Sequence, residues 1–187
     1  PQDWDGREVF ISFDGVDSFF YLWINGQYVG FSKNSRNTAN FNITPYLQKG
    51  KNTVAAEVYR SSDGSFLEAQ DMFRLPGIFR TVALYSTPKV QVRDLVVIPD
   101  LDETYTNGSL AISADIRNYG KKAAKGYQMA YTLYANKLYS DENTPVANAV
   151  ANATVNLVNP NETVEAEKAI LNVQSPNKWS AEFPYLY

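Results

Sequence analysis

The stretch "FFYLWINGQYVGFSK" at residues 19–33 constrains the fold more than any other part of the chain. Asn25-Gly26 at its centre supplies the positive φ angles of a type I′ turn, and both flanks are aromatic or β-branched, so the run predicts a β-hairpin. In its first arm Phe19, Tyr21 and Trp23 alternate with Phe20, Leu22 and Ile24. Both faces are therefore apolar, as expected of a central strand in a two-sheet stack. Neighbouring segments fit the same picture. "EVFISF" (8–13) is β-rich and is broken by "DGVDS". "FNITPYLQKGKNTVAAEVYR" (41–60) reads as a short strand, a turn opened by Pro45, a "KGKN" turn and a strand from Thr53 to Tyr59. "RTVALYSTP" is a last strand running into a Ser-Thr-Pro linker, and a domain boundary is expected near Thr87.

Beyond it, "KVQVRDLVVIPDL", "GSLAISADIRN", "KGYQMAYTLYAN", "ANATVNLVN" and "ETVEAEKAILNV" are strand-like runs separated by Asn, Gly, Pro and Asp at intervals typical of an all-β sandwich. Ile112, Ala114 and Ile116 share one face of the second run, and Tyr127, Met129, Tyr131 and Leu133 one face of the third. "TPVANAVANATV" (144–155) reads either as strand or as a helical turn. No long apolar stripe of helical period occurs, so the 187 residues read as two all-β domains, 1–87 and 88–187.

What the chain lacks narrows its chemistry. With no His and no Cys, it has no Ser-His-Asp or Cys-His nucleophile, no thiolate metal site and nearly no route to zinc catalysis. Carboxylates, Tyr, Lys and Arg remain. Net charge is −3, and the densest basic run, "YGKKAAKGY", holds three lysines, so no nucleic-acid partner is expected. No apolar run approaches the ~20 residues of a membrane span, and "PQDWDGREVF" is no signal peptide, so no membrane partner is expected. Aromatic residues make up 14%, which suits strands and sugar-stacking surfaces; for Trp4, Tyr28 or Tyr46 taken singly, the core is the expected location.

Two patterns invite a site and are better read as turns. "PDLDETYTNGS" clusters Asp100, Asp102 and Glu103, but an EF-hand loop counted from Asp100 needs Gly and Glu where Tyr105 and Ala111 stand. Asn-x-Ser/Thr sequons at Asn42, Asn107, Asn152 and Asn161 would carry glycans on a eukaryotic secretory route; ordinary Asn-rich turn chemistry is the expected reading.

"SSDGSFLEAQDMFRLPGIFR" (61–80) fits neither a strand nor a plain turn. Asp63-Gly64 is most simply a turn. Glu68 and Asp71 with Arg74 and Arg80 form a candidate ion-pair set bracing a long loop. The alternative is a presented carboxylate, Asp71, facing a ligand or cation while the arginines and aromatics brace it. Spacing alone leaves both open.

"FDGVDSFFYLWINGQYVGFSKNSRNTANFNITPYLQKGKN" followed by "SDGSFLEAQDMFRLPGIFR" closely resembles the N-terminal sugar-binding domain of large bacterial β-galactosidases of glycoside hydrolase family two. The match runs in order over nearly all of residues 5–88, and "NKWSAEFPYLY" (177–187) resembles the junction between that family's second domain and its catalytic barrel. The resemblance implies a jelly-roll domain followed by an immunoglobulin-like sandwich, with the catalytic glutamates on a later (β/α)₈ barrel outside this chain. It also implies that Asp71 reaches into the active site to help bind the galactosyl group and a sodium ion; magnesium belongs to the full-length enzyme's cofactors in the same way. Gln70 and Met72 match the motif, Phe73 stands where relatives often have Trp, and Arg74 and Arg80 are assigned to bracing.

The expected function is thus the non-catalytic, substrate-shaping part of a β-galactosidase. Retaining hydrolysis needs two carboxyl groups about 5 Å apart, and no pair here is nominated, so the chain alone is expected to be inactive and to hold no cofactor. Both ends look cut, which predicts unpaired strand edges and a homo-oligomer. A free-standing carbohydrate-binding module, an adhesin-like pair of sandwiches, and a β-glucuronidase or β-mannosidase of the same family are the alternatives. Localisation is expected to be bacterial, cytoplasmic or periplasmic.

Overall fold

A computed structural model of the protein describes residues 1–68, 70, 71, 73–136 and 143–187. The chain forms two compact units, Pro1–Pro88 and Lys89–Tyr187.

In the first unit the order is β1 (Glu8–Phe13), β2 (Val16–Asp17), β3 (Phe19–Ile24), β4 (Gln27–Ser32), β5 (Ala39–Asn42), β6 (Val54–Tyr59), α1 (Asp63–Glu68), β7 (Gly77–Ile78) and β8 (Val82–Thr87). Two antiparallel sheets, β5-β1-β8 and β4-β3-β6, carry the core, and β2 pairs with β7 beside them. The expected hairpin is β3-β4. Asn25 and Gly26 take φ of 51° and 76°, so the turn has the left-handed pair that Asn-Gly was read to provide. β3 is central, as expected, and its faces differ. Phe20, Leu22 and Ile24 are fully buried with Val9, Ile11 and Phe13 of β1; burial of each such side chain contributes about 1.5–3 kcal/mol.

The other face of β3 is an aromatic surface. Phe19, Tyr21 and Trp23 pack edge-to-face or tilted with Phe31 and Tyr28 of β4 and Tyr59 of β6, centroids 4.6 to 6.3 Å apart. The rings tile one another instead of lying flat in one plane, the geometry their quadrupoles favour. Trp4 and Tyr46 pack against the core, but Tyr28 lies on this outer face at 49% exposure, where the expectation placed it in the core. The strand pleat decides this: Tyr28 pairs with Trp23, which faces outward.

The second unit runs β9 (Val90–Leu101), β10 (Gly108–Asn118), β11 (Tyr127–Asn136), β12 (Asn143–Val155), β13 (Thr163–Glu165) and β14 (Ala169–Val173). One sheet joins β9, β10, β13 and β14; β11 and β12 form the other. The ambiguous run at 144–155 is strand throughout. Its alanines decide it: Ala149 and Ala153 are buried and let β12 approach Ile112 and Leu171 closely. Ile112, Ala114 and Ile116 are buried as expected. Met129, Tyr131 and Leu133 pack on the core, whereas Tyr127, at the start of its strand, is 49% exposed.

Asn118 closes the end of β10. It is fully buried, donates to the carbonyls of Lys122 and Val158, and accepts from the Gly120 amide, so its side chain replaces the ladder where the strand stops. The acidic loop is a turn between β9 and β10 built on Asp102. Its carboxylate accepts the backbone amides of Thr106 and Asn107, the Thr104 hydroxyl and the Asn107 side-chain amide. Those bonds, the Thr106 amide first, hold Asp102 down to about 2. Among the described residues, no helix is long and apolar enough to cross a membrane.

Candidate functional site

Residues 61–80 are held at both ends by "GVDS" (15–18), which the sequence marks only as a break between strands. Gly15 meets Phe79 so closely that a Cβ there would lie 2.7 Å from the ring, and the Phe79 amide donates to the Gly15 carbonyl. Val16 and Asp17 pair with Ile78 and Gly77. Ser18 reaches the Ser62 hydroxyl at 2.7 Å and the Ser65 hydroxyl at 2.9 Å. Asp63-Gly64 is accordingly not a plain turn but the first turn of α1. Ser62 precedes it, its amide donating to Ser65 Oγ, and Lys33 pairs with Asp63 at 2.9 Å.

The candidate ion-pair set is resolved into unequal parts. Glu68 Oε2 and Arg74 Nη1 meet at 3.1 Å. The buried Ser35 hydroxyl donates to Glu68 Oε2 at 2.6 Å and the Ser35 amide to Oε1 at 3.2 Å. The Ser35 hydroxyl, then Arg74, hold the Glu68 carboxyl below its ordinary value against the opposing effect of burial. That is the reverse of the raised pKa a general acid needs.

Arg80 is no member of this set. Its guanidinium donates to the carbonyls of Arg36 and Asp14, and it lies with Arg36 against the Phe79 ring, at 5.3 and 4.9 Å from the centroid. Carbonyls and a ring face take its charge, so it fixes the base of the loop without a carboxylate.

Asp71 stands apart. It is exposed, and among the described residues no ion pair engages it. Glu68 and Arg74, three residues to either side in sequence, are joined to each other. Gln70 is exposed too, while Met72 of the same motif lies outside the described residues. The same stretch of sequence presents Phe66, Leu67, Phe73 and Leu75 at 87%, 89%, 96% and 75% exposure.

Sequence reading missed Asp17. Its side chain is 3% exposed, and Arg36 Nη2 and Arg74 Nη1 each approach Oδ2 at 4.0 Å. Nothing in the local pattern distinguishes a buried Asp in "GVDS" from one in a turn.

Among the described residues, no group of three or more His, Cys, Asp or Glu side chains converges as a metal site. Asp71 alone does not supply a cation's oxygen shell.

The sequons have structural uses. Asn42 donates to Glu8 and accepts the Thr44 amide, Asn107 binds Asp102 and the Ser175 amide, Asn161 sits in a left-handed turn, and Asn152 pairs with Ala130. In the second unit a groove of about 720 Å³ is lined by apolar side chains including Leu110, Leu133, Val173 and Trp179, with Asp100 and Lys178 the charged residues on its wall. One carboxylate is too few for acid/base hydrolysis there.

Family comparisons match this architecture over both units. Residues 1–88 match the family description "Glycosyl hydrolases family 2, sugar binding domain", and residues 90–187 match "Glycosyl hydrolases family 2". The chain belongs to glycoside hydrolase family 2, as an all-β pair of a jelly-roll sugar-binding sandwich and an immunoglobulin-like sandwich. It is 45% identical over 185 residues to a β-galactosidase of Priestia megaterium (strain DSM 319 / IMG 1521), covering 99% of this chain and 17% of that protein. It is 37% identical over 187 residues to a β-galactosidase of Halalkalibacterium halodurans, covering 100% of this chain and again 17% of the relative. This chain thus spans about a sixth of the length of the curated relatives it matches. Among solved structures, a Bacteroides uniformis β-glucuronidase superposes with a TM-score of 0.81 at 22% identity, over 99% of this chain and 22% of that one. At that identity the likeness concerns the fold.

Proposed function

We propose that this chain is the substrate-shaping part of a β-galactosidase, and that its loop 61–80 delivers Asp71 into an active site formed with further protein. The single observation that carries the reading is the loop itself. Among the described residues, a carboxylate without an ion pair stands in a braced segment that also leaves large apolar side chains in water. Exposed Phe66, Leu67, Phe73 and Leu75 are costly on an isolated surface and useful against a partner. The names of the relatives support galactoside as the substrate class.

In this reading Asp71 binds and orients the terminal galactosyl group, and hydrolysis is carried out by carboxylates outside this chain. Asp71 also contributes one ligand to a sodium ion whose remaining oxygen ligands, like the magnesium site, belong to the rest of the protein. The chain alone is inactive.

The test is Asp71→Asn in the full-length protein. Hydrolysis of a nitrophenyl β-galactoside should fall at least tenfold in kcat/KM, roughly what loss of one positioning contact costs, and the response to sodium should change. Unchanged hydrolysis and an unchanged sodium response would sink the assignment. Turnover of the corresponding β-glucuronide or β-mannoside in preference to the galactoside would overturn the substrate class.

A further inference from the structure

The geometry points to Asp17 as the positioning residue of the Asp71 loop, an assignment that rests on the reading just given. Asp17 and Ser18 are consecutive, buried, and face opposite ends of the same segment. Ser18 binds Ser62 and Ser65 at the start of α1; Asp17 faces Arg74, which follows Asp71 in the chain.

The charges explain why Arg74 stays where it is. A carboxylate taken out of water must be compensated by hydrogen bonds or by opposite charge. Asp17 has little of the first. Its Oδ2 accepts no hydrogen bond among the described residues, and its Oδ1 has Ser35 Oγ at 3.5 Å. That hydroxyl has one proton, and Glu68 takes it at 2.6 Å. Compensation therefore falls to Arg36 and Arg74, each at 4.0 Å. Of the two, Arg36 is 46% exposed and Arg74 only 22%, so Arg74 is the better shielded from water and the stronger counter-charge.

Arg74 in turn reaches Glu68 at 3.1 Å and so links the two residues that flank Asp71 in sequence. Two carboxylates, Asp17 and Glu68, and two guanidiniums, Arg36 and Arg74, balance within this cluster. Removing the Asp17 charge leaves Arg74 only the more exposed Glu68 to face, and loosens the downstream arm of the loop. Asp17 touches no substrate in this scheme; it acts through Arg74.

The experiment uses the full-length protein with Asp17→Asn, Arg74→Met, the double variant, and Asp71→Asn alongside. Two things are read: KM and kcat for a nitrophenyl β-galactoside, and hydrogen exchange of the amides of residues 64–75. Asp17→Asn should raise KM at least about tenfold and speed exchange in that segment about tenfold, with β1 and β3 unchanged. A merely destabilising change would instead lower the active fraction, and so kcat, with KM unmoved. The double variant should be no worse than the worse single one, because the residues act in series. Kinetics and exchange both unaltered by Asp17→Asn, or effects that multiply in the double variant, overturn the inference. Should Asp17→Asn alone fail to fold, the double variant decides: removing both charges restores folding if they are coupled, and failure to restore it overturns the proposal. Asp71→Asn separates the two readings, since it should impair turnover while leaving loop exchange unchanged. Full activity of Asp71→Asn removes the functional reading, and the exchange result then decides the Asp17 anchor.

Discussion

Asn25 donates its side-chain amide to Asn52 Oδ1 at 2.8 Å, and this bond joins the tip of the β3-β4 hairpin to the turn preceding β6. The same amide reaches the Tyr46 carbonyl at 2.9 Å, while Asn25 Oδ1 accepts the Thr53 amide at 2.9 Å. One residue therefore supplies both the left-handed turn and a tie between three loops.

Asn25→Ala should accordingly destabilise the first unit by about 2–4 kcal/mol, combining the left-handed backbone cost with lost hydrogen bonds. Asn25→Gly restores the backbone freedom and should cost only about 1–2 kcal/mol. Chemical denaturation of the two variants checks the split. Equal losses would mean that the turn conformation contributes nothing.

Asp102 makes a pH-dependent contribution of known sign. Its folded value of about 2 lies below the ordinary 3.8, so its stabilising effect is complete above 3.8 and is lost as pH falls through about 2. Thermal unfolding of the chain between those values should show a slope that Asp102→Asn reduces. The same slope in both proteins would rule out this turn as its source.

Tyr131 carries a buried hydroxyl with no hydrogen-bond partner among the described residues, and burial pushes its pKa up. Tyr131→Phe removes that polar group and keeps the ring, so it should be neutral or stabilise by up to about 1 kcal/mol. A loss of more than that would reveal that the hydroxyl is satisfied.

Val92, Leu95, Val96, Val97 and Ile98 of β9 are 45% to 57% exposed on a strand bonded to β10. Apolar strands of this kind promote association. Copies of the chain should therefore self-associate in sedimentation as concentration rises, and Leu95→Lys with Val97→Lys should suppress it. A clean monomer at high concentration counts against this.

What the sequence revealed depended on range. The β3-β4 hairpin is written in adjacent residues, because Asn25-Gly26 needs no distant partner to turn. The role of "GVDS" is written nowhere locally: Ser18 meets Ser62 and Ser65 across 44 and 47 residues, and alternation of apolar residues carries no record of such pairings. Glu68 and Asp71 look alike as acids in one stretch. Only the fold separates them, by bringing Ser35 and Arg74 to the first and leaving the second exposed. Tyr28 was misplaced for a related reason. An aromatic residue beside a hairpin turn can face either way, and its pairing with Trp23 sets the side.

The aromatic outer face of β3 also equips the first unit with its own optical reporter. Trp23 lies 5.8 Å from Tyr21 and 5.9 Å from Tyr28, close enough for excitation absorbed by either tyrosine to pass to the indole. Tyrosine emission from this sheet should be dim while it is folded and should brighten when β3 and β4 separate. Opening of that hairpin can thus be followed by light alone, without labelling the chain.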